Sequence, residues 1–147
     1  MKTFILLLIL AALLQSSFLP LNLVLILLIC RSFVVLEYSN LILGFSIGIL
    51  LGILTSQNIG FWPLVFLIMI KLASSFKKLP ISSNALTIIP FSLIIVLLTS
   101  VTEKIFLNQS INISKVIAEA TISLPVFLLI RLWEERFIVR SEIKLKV

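Results

Sequence analysis

The side chains that most often perform catalysis are scarce in this chain. It contains no histidine and one cysteine, Cys30. That excludes an intrachain disulfide, a zinc cluster and any Ser-His-Asp or Cys-His catalytic set. No catalytic, cofactor-binding or metal-binding residue can be nominated, and the chain reads as non-enzymatic. The ionisable residues within apolar stretches are the next place to look, because a charge in lipid is costly and usually has a task. Arg31 and Lys71 fall near the ends of such stretches, where long basic side chains can snorkel to headgroups. Glu119 follows Lys115 by four residues, so the two can pair on one helix face close to its start. A proton or ion relay needs a chain of such groups, and the sequence offers no deep charged or polar cluster within its apolar stretches.

Spacing carries the remaining information. Gly44, Gly48 and Gly52 recur every fourth residue and therefore share one helix face. Missing side chains there let a second backbone approach closely, either a neighbouring helix of the same chain or a partner's span. Phe45 flanks the face. Pro63 fits the first turn of a helix, whereas Pro90 and Pro125 are expected further inside theirs, where they bend them. Near the C-terminus, Arg131, Trp133, Glu135, Arg136 and Arg140 suit a helix leaving the membrane. Trp133 anchors at the interface, and the arginines meet anionic headgroups or a cytoplasmic protein. Asn108 and Asn112 begin two Asn-x-Ser sequons, which matter only in a eukaryotic secretory pathway.

Composition identifies the elements that must position these residues. Of the 147 residues, 61% are apolar and 12% charged. A soluble domain of this length has too little interior for that much apolar surface, so the solvent must be lipid. Six apolar stretches approach the ~20 residues needed to cross a ~30 Å hydrocarbon core. They lie at about 3–18, 19–36, 40–56, 60–76, 85–102 and 116–133, followed by a basic tail at 134–147. All belong to one transmembrane domain, 1–147. Runs such as Phe4 to Leu14 do not alternate, which sets aside a β-barrel. The expected fold is an all-α integral membrane protein, a bundle of about six transmembrane helices. The first stretch resembles a signal peptide, with Lys2 ahead of it and Gln15-Ser16-Ser17 after it. A second apolar stretch follows at once, and no small-x-small site precedes it, so the first is read as a retained helix.

Charge placement orients the bundle. With a cytoplasmic N-terminus, the inner segments hold Lys2, Arg31, Lys71, Lys77, Lys78, Arg131, Arg136, Arg140, Lys144 and Lys146, leaving only Lys104 and Lys115 outside. This is the positive-inside pattern, and it places both termini in the cytoplasm. The net charge of +6 thus reflects a membrane address, and nucleic acid is not an expected partner.

Three short stretches carry a family resemblance. The first helix ends in Leu14-Gln15-Ser16-Ser17, and the second opens with Pro20-Leu21-Asn22-Leu23. The third carries Gly44-Phe45-Ser46-Ile47-Gly48, with Ser56 and Gly60 after it. Together they resemble the rod shape-determining protein MreD family of the bacterial cell-wall elongation complex, except that Gly52 stands where that family has an aspartate. The resemblance implies a non-catalytic, multi-pass scaffold of the inner membrane, acting on cell shape and peptidoglycan synthesis. It implies an MreC-like bitopic partner and, through it, an MreB-like filament and the wall-synthesis enzymes. The competing expectation is the substrate-binding component of an energy-coupling-factor vitamin transporter. Against it, Ala11 and Ala12 are adjacent and do not form that family's Ala-x-x-x-Ala face, and Trp62 and Tyr38 alone make a thin ligand pocket.

Overall fold

A computed structural model describes residues 2–17, 21–35, 38–56, 59–78, 87–108 and 110–143. Among them the fold is all-helical, with α1 Lys2–Ser17, α2 Leu23–Val34, α3 Ser39–Leu54, α4 Phe61–Lys77, α5 Ile88–Leu107 and α6 Ile113–Ile143. The connections at 57–58 and 79–84, between the third, fourth and fifth apolar stretches, lie outside the described residues, as do Pro20, Lys144 and Lys146.

Helix ends depart from the sequence expectation in explicable ways. The fifth helix runs on past Glu103 to Leu107, where Asn108 adopts a left-handed conformation (φ 52°). Asparagine tolerates that geometry better than most residues and closes the helix. Asn112 then opens α6, its Oδ1 accepting from the backbone N–H groups of Ser114 at 3.1 Å and Lys115 at 3.3 Å. Both sequon asparagines thus have a local structural task. Pro90 is only the third residue of α5, in its first turn, where no intrahelical donor is lost. The expectation that it lies deep enough to bend the helix is corrected. Pro125 does lie inside α6.

The helices are arranged around α2. It packs on α4 and α6, α3 packs on α4, and α5 packs on α6, while α1 leans on α2 and α3. Val24, Leu25, Ile26, Leu28, Ile29, Cys30 and Phe33 are all buried, so α2 is covered on nearly every side. Phe33 meets Phe91 at 4.8 Å and Phe127 at 6.5 Å, and Phe76 stacks on Phe91 at 4.3 Å. These rings close one end of the core. The outside is apolar as well: Leu6, Leu10, Ile42, Ile53, Leu64, Ile94, Ile117 and Leu129 are exposed. Apolar surface of this extent needs lipid or protein cover. Two segments, Ile88–Leu107 and Ile113–Glu134, are long and apolar enough to cross a membrane.

The glycine face is occupied from within the chain. A Cβ at Gly48 would sit 2.6 Å from the Cα and N of Pro63, and one at Gly52 would sit 3.0 Å from the Cα of Ile59. Gly44 faces the side chains of Ile70 and Phe66. The pairing of 44 with 70, 48 with 63 and 52 with 59 runs α3 and α4 antiparallel. Phe45 points away from α4 and is exposed.

Candidate functional site: buried polar groups at the ends of the central helix

With 12 residues, α2 is about 18 Å long, well short of the other helices. Its start is buried at Asn22 and Val24, and Val34 and Val35 at its other end are half-buried. The first N–H groups and last C=O groups of any helix lack partners within it, and when buried they must be satisfied by other groups. Here side chains of the surrounding helices do this at each end.

At the start of α2, the backbone N–H of Asn22 donates to Glu119 Oε1 at 2.7 Å, and that of Val24 donates to Gln15 Oε1 at 3.2 Å. Glu119 comes from α6 and Gln15 from the last turn of α1. The Asn22 side chain completes the link: Nδ2 donates to Glu103 Oε1 at 3.0 Å, and Oδ1 accepts from Gln15 Nε2 at 3.1 Å. Lys115 Nζ approaches Glu103 Oε2 at 3.4 Å and Glu119 Oε1 at 3.9 Å. Glu119 is fully buried, Asn22 is 4% exposed and Glu103 5%. One oxygen of the cluster, Glu119 Oε2, has no hydrogen-bond partner among the described residues. Four helices converge on this one group of side chains.

At the other end, the Val34 carbonyl accepts from Lys77 Nζ and the Val35 carbonyl from Asn40 Nδ2, the latter at 2.8 Å. Arg31 Nε lies 3.4 Å from Glu134 Oε1, and the Arg31 guanidinium stands 4.6 Å above the Phe4 ring. Between the two ends the polar contacts are few and local to α2, α5 and α6. Cys30 Sγ donates to the Ser123 carbonyl at 3.4 Å, and the Ser92 and Ser123 hydroxyls are 2.7 Å apart.

Three sequence expectations change. The apolar stretches do hold a buried polar cluster. Asn22, in the opening of the second stretch, and Glu103, just beyond the fifth stretch at 85–102, both face inward. Glu119 does approach Lys115, yet its shortest contact is with the Asn22 backbone, 97 residues away in sequence. Arg31 does not snorkel: it is 2% exposed and engaged by Glu134 and Phe4. One signal could have shown the cluster beforehand. In an alternating six-helix arrangement, Gln15, Asn22, Glu103, Lys115 and Glu119 all fall at the same end.

The remaining nominated residues are peripheral. Trp133 and Arg131 are exposed in the second half of α6, and so is Arg136, while the side chains of Arg140 and Glu135 lie outside the described residues. Trp133 also borders a cleft of about 270 Å³ between α1 and α6, walled by Phe4, Leu7, Leu27, Leu129 and Ile130. No group of three or more His, Cys, Asp or Glu side chains is placed to hold a metal ion among the described residues.

The arrangement is suited to tying helices together. Its carboxylates are engaged by the Asn22 backbone and amide and by Lys115, and among the described residues no hydroxyl or thiol hydrogen-bonds to them. No family model, curated protein or solved structure matches this chain.

Proposed function

We propose that the chain is a multi-pass, non-catalytic membrane scaffold of the MreD kind, its six helices crossing the inner membrane alternately with both termini in the cytoplasm. The alternation is supported by the charges. The end bearing Arg31, Lys71, Lys77, Lys78 and Arg131 is the basic one, while Lys104 and Lys115 lie at the opposite end. Crossing by the shorter helices is supported by the exposed apolar perimeter and by α2, whose ends are satisfied from within the protein. A short helix is acceptable in lipid on that condition.

The observation that carries the scaffold reading is the cleft between α1 and α6. It is apolar along its walls and bordered by the interface residue Trp133. A vitamin-sized polar solute needs convergent hydrogen-bonding groups, whereas a wall of Phe, Leu and Ile suits the apolar flank of a partner's single span. The partner expected from the resemblance is an MreC-like bitopic protein, linking the chain to an MreB-like filament and the wall-synthesis enzymes. The test is purification of the tagged chain from its native membranes in mild detergent, with mass spectrometry of proteins and small molecules retained. Recovery of a bitopic coiled-coil protein, lost on Leu129→Arg in the cleft wall, is the expected outcome. A retained vitamin-like molecule that raises the melting temperature refutes it, because selective binding to the folded state must stabilise that state.

A further inference from the structure

A second recess, also about 270 Å³, opens where α2 ends and α3 begins, between the basic ends of α2, α3 and α4. Its chemistry is unlike that of the apolar cleft. Ser32, Asn40 and Ser74 contribute to its wall with Ile70, while Tyr38 and Lys78 are exposed at its rim. Among the described residues, the hydrogen-bond inventory of that wall is one-sided. The Ser32 hydroxyl donates to the Leu28 carbonyl at 2.8 Å and the Ser74 hydroxyl to the Lys71 carbonyl at 2.8 Å, so each has spent its only proton. Asn40 has donated through Nδ2 to the Val35 carbonyl, and its Oδ1 has no partner among the described residues although the residue is only 3% exposed. The wall therefore offers acceptors: an amide oxygen and the lone pairs of two hydroxyl oxygens. A buried acceptor left unmatched is unfavourable, so a donor is wanted there. At the rim the polarity reverses, with the Lys78 ammonium available to an anion.

We propose that this recess is a binding site for a phospholipid headgroup whose phosphate meets Lys78 and whose terminal N–H or O–H donors face the acceptor wall at Asn40. Phosphatidylethanolamine and phosphatidylglycerol have this chemistry. Phosphatidylcholine has the same phosphate but a fully methylated, donor-free end. The position suits a lipid, since Leu41 and Ile70 give the acyl side an apolar neighbour and the recess lies at the end where basic residues collect. The proposal rests on the membrane part of the reading above and is independent of the MreD-like role.

Native mass spectrometry of the delipidated full chain, titrated separately with the three lipids, tests it. Phosphatidylethanolamine and phosphatidylglycerol should be retained several-fold to about tenfold better than phosphatidylcholine, the range set by one or two net hydrogen bonds. Asn40→Leu should abolish that preference. Lys78→Gln, at an exposed position that does not endanger folding, should weaken all three lipids alike. Equal retention of phosphatidylcholine, or no loss with Lys78→Gln, overturns the proposal. Binding of water-soluble glycerophosphoethanolamine as tightly as the lipid overturns the lipid assignment. A chain released from membranes by alkaline carbonate would instead refute the membrane reading itself, which keeps the two failures distinct.

Discussion

Replacing Gly48 by alanine adds one methyl group at the closest approach of two helices. That methyl would lie 2.6 Å from the Cα and N of Pro63 and 3.0 Å from the Trp62 carbonyl carbon, all backbone atoms. Backbone cannot rotate aside as a side chain can. Bringing the contact to an ordinary 3.4 Å requires α3 and α4 to separate locally by about 0.8 Å (3.4 − 2.6). Overpacking of this sort costs about 1–3 kcal/mol. Alanine's better helix propensity returns up to about 1 kcal/mol. With immovable neighbours the cost falls in the upper part of its range, leaving a net loss of about 1–2 kcal/mol, or roughly 5- to 30-fold in the folded-to-unfolded ratio. The same bookkeeping ranks the other positions. Gly52→Ala meets the Ile59 Cα at 3.0 Å and O at 3.2 Å and should lose less. Gly44→Ala meets the end of the Ile70 side chain, which can change rotamer, and should lose less again. Gly60→Ala has nothing within 4 Å and should stay within about 0.5 kcal/mol of the parent. The assay is the midpoint of thermal unfolding in dodecyl maltoside, followed by fluorescence-detected size exclusion. A Gly48→Ala midpoint at or above that of the parent, or an order in which Gly60→Ala is the worst, would refute the reasoning from backbone contact.

Other outcomes follow from the ends of α2. Glu119→Ala leaves the buried Asn22 N–H without its acceptor and should lower stability by about 1.5–3 kcal/mol, the range for bonds to charged groups. Lys115→Ala should cost less in the same thermal assay, because Lys115 reaches its carboxylates at 3.4 and 3.9 Å and is partly exposed. Arg31→Ala removes the partner of Glu134 and uncovers Phe4, and should destabilise more than Lys71→Ala, whose side chain is exposed; equal midpoints would dismiss the Arg31 contacts as incidental. For topology, a thiol placed at Asn108 should react with an impermeant maleimide in intact cells and one at Lys78 only after permeabilisation. The buried Cys30 should stay silent in both cases, and labelling of the two sites in the reverse order would overturn the orientation.

What the sequence reveals here is what depends on neighbours along the chain. The glycine repeat marks a face suited to close backbone approach because its members lie one turn apart, and such spacing survives in any packing. Apolar stretches likewise announce helices wherever those helices finally sit. The buried network is different. Asn22, Glu103 and Glu119 belong to three helices, and each has an acceptable local reading as a break, a loop residue and one half of an i, i+4 pair. Only their juxtaposition at the start of α2 turns them into one site. Arg31 was misread for a related reason. Its distance from a helix end allows snorkelling in isolation, but Glu134, 103 residues later, comes to it instead. Pro90 depended on where the preceding helix boundary fell, and boundaries are set by capping and tertiary contacts as much as by composition.

The shortness of α2 also bears on the order in which the protein can be built. About 18 Å of helix with open backbone groups at both ends is a poor candidate for stable residence in a bilayer by itself. The carboxylate that accepts from Asn22 and the one that engages Arg31 both lie on α6, which is made after α1 to α5. Until α6 is made, α2 has neither, and on the proposed six-span reading its settlement in the membrane is provisional. On that reading, a copy truncated before α6 should be recognised by membrane quality control through an unfinished α2, and be degraded even though α1 to α5 have been made.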